Sequence, residues 1–140
     1  MLRLKRDVWL AMVGHCYDGL PDEACGLIAG PLPAGDGELA SATAWYPTGN
    51  DAKSAKVYTV NPRDHLRADR DADDKGLAII GVVHSHTHTD PYPSPTDVAQ
   101  APDPSWHYVI VSLRDEAPMV RSYRIRDGKI AEETVVLVGQ

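Results

Sequence analysis

His84-Ser85-His86 and Ser94-Pro95-Thr96-Asp97 bring two imidazoles, a hydroxyl and a carboxylate within fourteen residues. Imidazole nitrogen and carboxylate oxygen are a ligand set that suits zinc with one coordination position left open. Asp97 has a second reading. Ser94 can cap a helix, with Pro95 at its first position and Asp97 reaching back as in a capping box. The same grammar recurs at Asn61-Pro62-Arg63-Asp64, where nothing suggests a metal. Spacing alone leaves cap and ligand both standing, and the nearness of His84 and His86 in sequence favours the ligand. A hydrolytic metal site also needs a carboxylate to move a proton. Glu23, in the turn Pro21-Asp22-Glu23-Ala24, is the candidate, against the alternative of a solvated loop residue.

The elements around these residues decide whether they can meet. Leu77-Ala78-Ile79-Ile80-Gly81-Val82-Val83 is short, continuous and β-branched, as in a buried strand. Continued through His86, it sets His84 and His86 on one face and turns Ser85 away. Its far end would lie at the sheet edge, where sites of such sheets gather. Gly81 inside the strand permits a close backbone approach. A second strand over residues 25–29 follows Glu23 directly.

The remaining chain reads as a helix over 5–18, strands over 39–46 and 57–60, and a charged helix from Asn61 to about Asp74. A short helix over 94–100 and strands over 107–113, 120–126 and 130–138 follow. Asp127-Gly128 is a hairpin turn. The order α-β-β-β-α-β-α-β-β-β predicts an α/β chain of the α+β type: a mixed sheet with helices packed on it.

At 140 residues the chain reads as a single domain, residues 1–140. A net charge of −6 argues against nucleic acid or an anionic membrane as the main partner. Cys16 and Cys25 lack Cys-x-x-Cys spacing and read as two reduced, buried thiols. Residues 2–13 are basic, then apolar, but the apolar run is very short and lacks a cleavage site, so they are not read as a signal peptide. No run is long enough to span a bilayer. The expected location is the cytoplasm.

Glu23-Ala24-Cys25-Gly26-Leu27-Ile28-Ala29-Gly30, His84-Ser85-His86 and Ser94-Pro95-Thr96-Asp97 together resemble the signature of the JAMM (MPN+) metalloproteases. That signature is a distant Glu, His-Ser/Thr-His, seven residues, Ser, two residues and Asp, and every position is present. The strand over 107–113 and the ending Arg124 to Glu133 are similar to the short prokaryotic branch. The resemblance implies an MPN/JAB fold related to the cytidine deaminase arrangement. The deaminase elements His-x-Glu and Pro-Cys-x-x-Cys are themselves missing.

It further implies that His84, His86 and Asp97 bind Zn2+, that Glu23 is the general base, and that Ser94 hydrogen-bonds the oxyanion. The implied substrate is a ubiquitin-like sulfur carrier protein ending in Gly-Gly. Mec-type hydrolases of this branch release a cysteine built onto the carrier's last glycine. An isopeptidase acting on lysine conjugates is the second reading, and a non-catalytic MPN scaffold the third; a homodimer is compatible with all three. The chain departs from many relatives after His86, with Thr87-His88-Thr89-Asp90 in place of Pro. His88 and Asp90 are then extra ligands or, on the blander reading, lining or solvated loop residues. Trp106 and His107 are candidates to shape the pocket. Tyr92 is a candidate to stack on a substrate tail or to pack on the surface.

Overall fold

The computed structural model describes residues 1–139. Its elements run β1 (Leu2–Lys5), α1 (Arg6–Asp18), β2 (Cys25–Gly30), β3 (Ala40–Ala42), β4 (Ala44–Thr48), α2 (Pro62–Asp74) and β5 (Ala78–His86). They continue through α3 (Pro95–Ala99), β6 (His107–Ser112), β7 (Met119–Arg126), β8 (Lys129–Glu133) and β9 (Val135–Val138). Six strands form one sheet in the order β4-β2-β5-β6-β7-β8 and three form another, β3-β1-β9. The large sheet is mixed: β5 and β6 run parallel and every other neighbouring pair is antiparallel. The small sheet is parallel throughout. The expected mixed sheet with helices packed on it is what the chain forms.

The large sheet buries both faces, because its strands alternate two apolar sets. Ile28, Val83, Val109 and Val111 pack with Met12 and Cys16 of α1 and with Leu2 and Leu4 of the small sheet. Leu27, Val82, Tyr108, Ile110 and Tyr123 pack on the other face with Ala68 of α2. The charged helix α2 turns only small residues, Ala68 and Ala72, fully inward. Its start follows the expected grammar: the Asn61 side chain accepts from the N–H groups of Arg63 and Asp64. Asp127 and Gly128 both take positive φ (51° and 73°), as a two-residue hairpin requires.

Three expectations change. The strand expected over 39–46 divides at Thr43, sending β3 to the small sheet and β4 to the large one; the Thr43 N–H donates to Ala29 O and pins the corner. The strand expected over 130–138 divides in the same way at Thr134. Residues 57–60 form no strand, and only Val60 bridges to Asn50. The Asn50 side chain occupies the backbone groups that a ladder would use, accepting from Ala52 N and Thr59 N and donating to Val57 O. The unexpected β1 is four residues long, with Leu2 and Leu4 turned inward.

Gly81 lets β5 and β6 approach closely, since a Cβ there would lie 2.2 Å from the His107 carbonyl oxygen. Gly81→Ala is therefore expected to cost about 1–3 kcal/mol of stability. A urea midpoint equal to wild type would show that the strands can part at no cost. No helix among the described residues is long and apolar enough to cross a membrane.

Candidate metal centre

The alternation of β5 sets its two histidines on the α2 face, beyond Val82, while Val83 and Ser85 face α1. The short α3 then brings Asp97 back over the strand end. His84 Nε2 and His86 Nε2 lie 3.2 and 3.1 Å from Asp97 Oδ2. One ligand atom from each of the three residues falls within 4.8 Å of the others, and all three side chains are buried. The second ring nitrogen of His86, Nδ1, donates to the Asp90 carbonyl at 2.7 Å. That bond fixes the tautomer and leaves the Nε2 lone pair for a metal.

The cap is present as well. Ser94 Oγ accepts from the Asp97 N–H at 3.0 Å, and the Ser94 N–H donates to Asp97 Oδ2 at 2.8 Å. Asp97 is thus both an N3 capping-box residue and the point where two imidazoles converge. The hydroxyl oxygen of Ser94 accepts in this arrangement, which leaves its proton to donate.

Electrostatics divides the three residues. Burial works against charging Asp97, but hydrogen bonds from His84 and His86 outweigh it and hold the carboxyl well below its usual range. Burial pushes His84 down. In His86 burial is overcome by the bonds to Asp97 and to the Asp90 carbonyl, so it lies above its ordinary value. Without a metal, His86 holds a proton more readily than His84.

Glu23 sits directly before β2 and is 5% exposed, so it is not a solvated loop residue. Its N–H donates to Ser54 O at 2.8 Å, and its carbonyl accepts from Asn50 Nδ2 at 2.9 Å. Burial pushes its carboxyl up to about 8; the charge on His86 opposes this and that on Asp97 adds to it. Its buried Oε1 has no hydrogen-bond partner among the described residues. Two imidazole nitrogens, a carboxylate held anionic and a buried acid with an orphaned oxygen together fit a divalent cation and a water beside it.

The sequence did not point to Tyr58, whose ring stacks on His84 at 4.2 Å between centroids. Nor did it point to Asn50, the hub of the loop carrying Tyr58. Tyr58 and Trp106 line an apolar cavity of about 230 Å³ with Leu27, Val60 and Val82, and none of His84, His86 and Asp97 lines it. His107 is wholly buried at the start of β6, bonded to Glu133 Oε2, beside Gly81 rather than His84. The loop after His86 supplies no further ligand among the described residues. Asp90 pairs with Arg114, His88 Nδ1 with the Thr87 hydroxyl, and Tyr92 meets Tyr123 edge to face. Three successive carbonyls of that loop are tied down, Thr89 by Ser112, Asp90 by His86 and Pro91 by the Tyr123 hydroxyl. Cys16 and Cys25 are free and buried, as expected.

Residues 5–126 match the family described as prokaryotic homologues of the JAB domain. A protein named CysO-cysteine peptidase, from Mycobacterium tuberculosis, is 39% identical over 100% of this chain and 93% of its own length. A protein named desampylase, from Haloferax volcanii, is 31% identical over 79% of this chain and 80% of its own length. Among solved structures, a protein from Desulfitobacterium hafniense superposes with a TM-score of 0.90 at 33% identity, covering 100% of this chain and 94% of that one. A JAB1/MPN domain protein from Archaeoglobus fulgidus shares the fold, with a TM-score of 0.57 at 19% identity, covering 96% of this chain and 98% of that one.

Proposed function

The chain belongs to the family of prokaryotic homologues of the JAB domain, and from that premise we propose that it is a zinc-dependent peptidase of the cytoplasm. It cleaves the amide bond after the C-terminal glycine of a ubiquitin-like sulfur carrier and releases cysteine from a carrier–cysteine adduct. The observation that carries the reading is the convergence of two imidazoles on Asp97 beside a buried acid with a free oxygen. The full-length likeness to a protein named CysO-cysteine peptidase supports the substrate.

His84 Nε2, His86 Nε2 and an Asp97 oxygen would hold the metal. A zinc ion bound there supplies polarisation of the scissile carbonyl and acidification of water. Glu23 takes a proton from the water as its oxygen attacks the carbonyl carbon, then delivers that proton to the amine nitrogen as the carbon–nitrogen bond breaks. Burial raises its carboxyl in the metal-free protein, and the charge of a bound cation would lower it again toward the range a base needs. The Ser94 hydroxyl proton is the donor for the oxyanion, and the cap that Ser94 shares with Asp97 fixes where that donor stands. Tyr58 packs on His84 and keeps its ring from turning.

The likeness to desampylase favours a second reading, hydrolysis of modifier–lysine conjugates. The purified protein, supplied with zinc, is expected to cleave a carrier–cysteine adduct faster than a carrier–lysine conjugate and to lose both activities to a chelator. Faster cleavage of the lysine conjugate would replace the first reading with the second. Chelator-insensitive cleavage would remove the metal from both.

A further inference from the structure

Between the two histidines stands Ser85, which the metal centre does not use. It faces α1, is wholly buried, and lies one residue past the register pair Cys25–His84 that ends the β2–β5 ladder. Its N–H donates to Ala24 O at 2.9 Å, continuing the ladder by one bond. Its hydroxyl accepts from the Ala24 N–H at 2.8 Å. Both backbone groups of Ala24 thus end on one residue of β5. Those of Glu23 end on Ser54 and Asn50. Glu23 belongs to no strand, so these four bonds are what fix its Cα. Only one of them depends on a side chain of the strand that carries His84 and His86.

We propose that Ser85 is a positioning residue, whose hydroxyl clamps Ala24 and thereby sets Glu23 at a fixed place over the His84–His86–Asp97 centre. The proposal rests on the reading of Glu23 as general base. The chemistry of the position is narrow. Alanine or valine would leave the Ala24 N–H buried without an acceptor. Threonine keeps the hydroxyl and suits a strand. The clamp also explains how a residue sixty positions upstream finds the metal strand: residue 24 docks on residue 85, and residue 23 follows.

The test compares Ser85→Ala with Ser85→Thr. With zinc supplied, S85A is expected to keep wild-type metal content and KM for carrier–cysteine, while kcat falls about 10- to 100-fold, the cost of a misplacement near 1 Å. S85T is expected to recover most of that loss. In metal-free protein, the Ala24 amide hydrogen is expected to exchange with solvent at least about ten times faster in S85A and to stay protected in S85T. If S85A does not fold, Ser85→Cys, with a sulfur that accepts poorly, takes its place. A wild-type kcat in S85A, or a loss confined to KM or to metal content, overturns the clamp. A wild type that cleaves no carrier conjugate sinks the peptidase reading instead. Exchange alone then decides, and a protected Ala24 amide in S85A overturns the proposal.

Discussion

Glu23→Gln is expected to keep wild-type zinc content and to lower kcat for the carrier–cysteine adduct by about 10²- to 10⁴-fold, the usual contribution of a positioned acid–base group. Glutamine matches the carboxyl in size. The backbone bonds to Ser54 and Asn50, and the Ala24 bond to Ser85, do not involve the side chain and should survive. What disappears is the capacity to take a proton from water and return it to the leaving nitrogen. Removing a buried acid whose carboxyl burial has pushed up to about 8 should leave folding unharmed. Zinc content by elemental measurement, alongside single-turnover rates, separates the roles. Loss of zinc in E23Q would make Glu23 a ligand, and retained turnover would move the base elsewhere.

The two readings of Asp97 can be separated by two substitutions. Asp97→Asn keeps an oxygen that can accept from the Ser94 N–H, so the cap should hold while the anionic ligand is lost. Asp97→Ala loses the ligand and the bond from the Ser94 N–H, keeping only the Ser94 Oγ bond to the backbone N–H of residue 97. Each is expected to weaken zinc binding by more than about 100-fold, the upper cost of losing a mere outer-sphere partner. In metal-free protein D97A should also be less stable than D97N by about 1 kcal/mol, the worth of the one hydrogen bond from the Ser94 N–H. The pH dependence of metal-free stability has a definite sign. The Asp97 pKa is depressed in the fold, so its contribution is complete above the unfolded value of about 3.9 and lost as pH falls through the folded value. The His86 pKa is raised, so its contribution is complete below about 6.5 and lost as pH rises through its folded value. The advantage of wild type over D97N should therefore peak between about pH 4 and 6.5. Equal zinc binding by D97N and wild type would reduce Asp97 to a cap.

Where a functional side chain sits on a regular element, its place could be read from the chain. His84 and His86 follow from strand alternation, and Ser94 with Asp97 from the first turn of a helix. The turn before a strand makes Glu23 only a candidate, and the resemblance is what singles it out, because its position depends on the Ala24–Ser85 contact between distant segments. Tyr58 stayed hidden because its loop is shaped by the hydrogen bonds of Asn50, which no periodicity encodes. The strand breaks at Thr43 and Thr134 have another cause. Neither corner carries the glycine, proline, asparagine or aspartate that would mark a turn, so each double element resembles one long strand while its halves enter different sheets. His107 shows the limit of proximity in sequence: it opens β6 opposite Gly81, whereas His84 and His86 lie opposite Ile110 and Ser112.

The small parallel sheet has a consequence for how the protein is made. Its middle strand, β1, pairs with β3 on one side and with β9 on the other. On the ribosome, every residue of the metal centre has emerged long before Val135, yet one edge of β1 waits for it. At roughly 5–20 residues per second, the interval between Ala42 and Val135 is on the order of 5–20 s. Through that interval Leu2 and Leu4, which underlie the α1 face of the core, lack their last covering strand. The α1 face of the core is therefore sealed by β9 only after the segments that carry His84, His86 and Asp97 have been made.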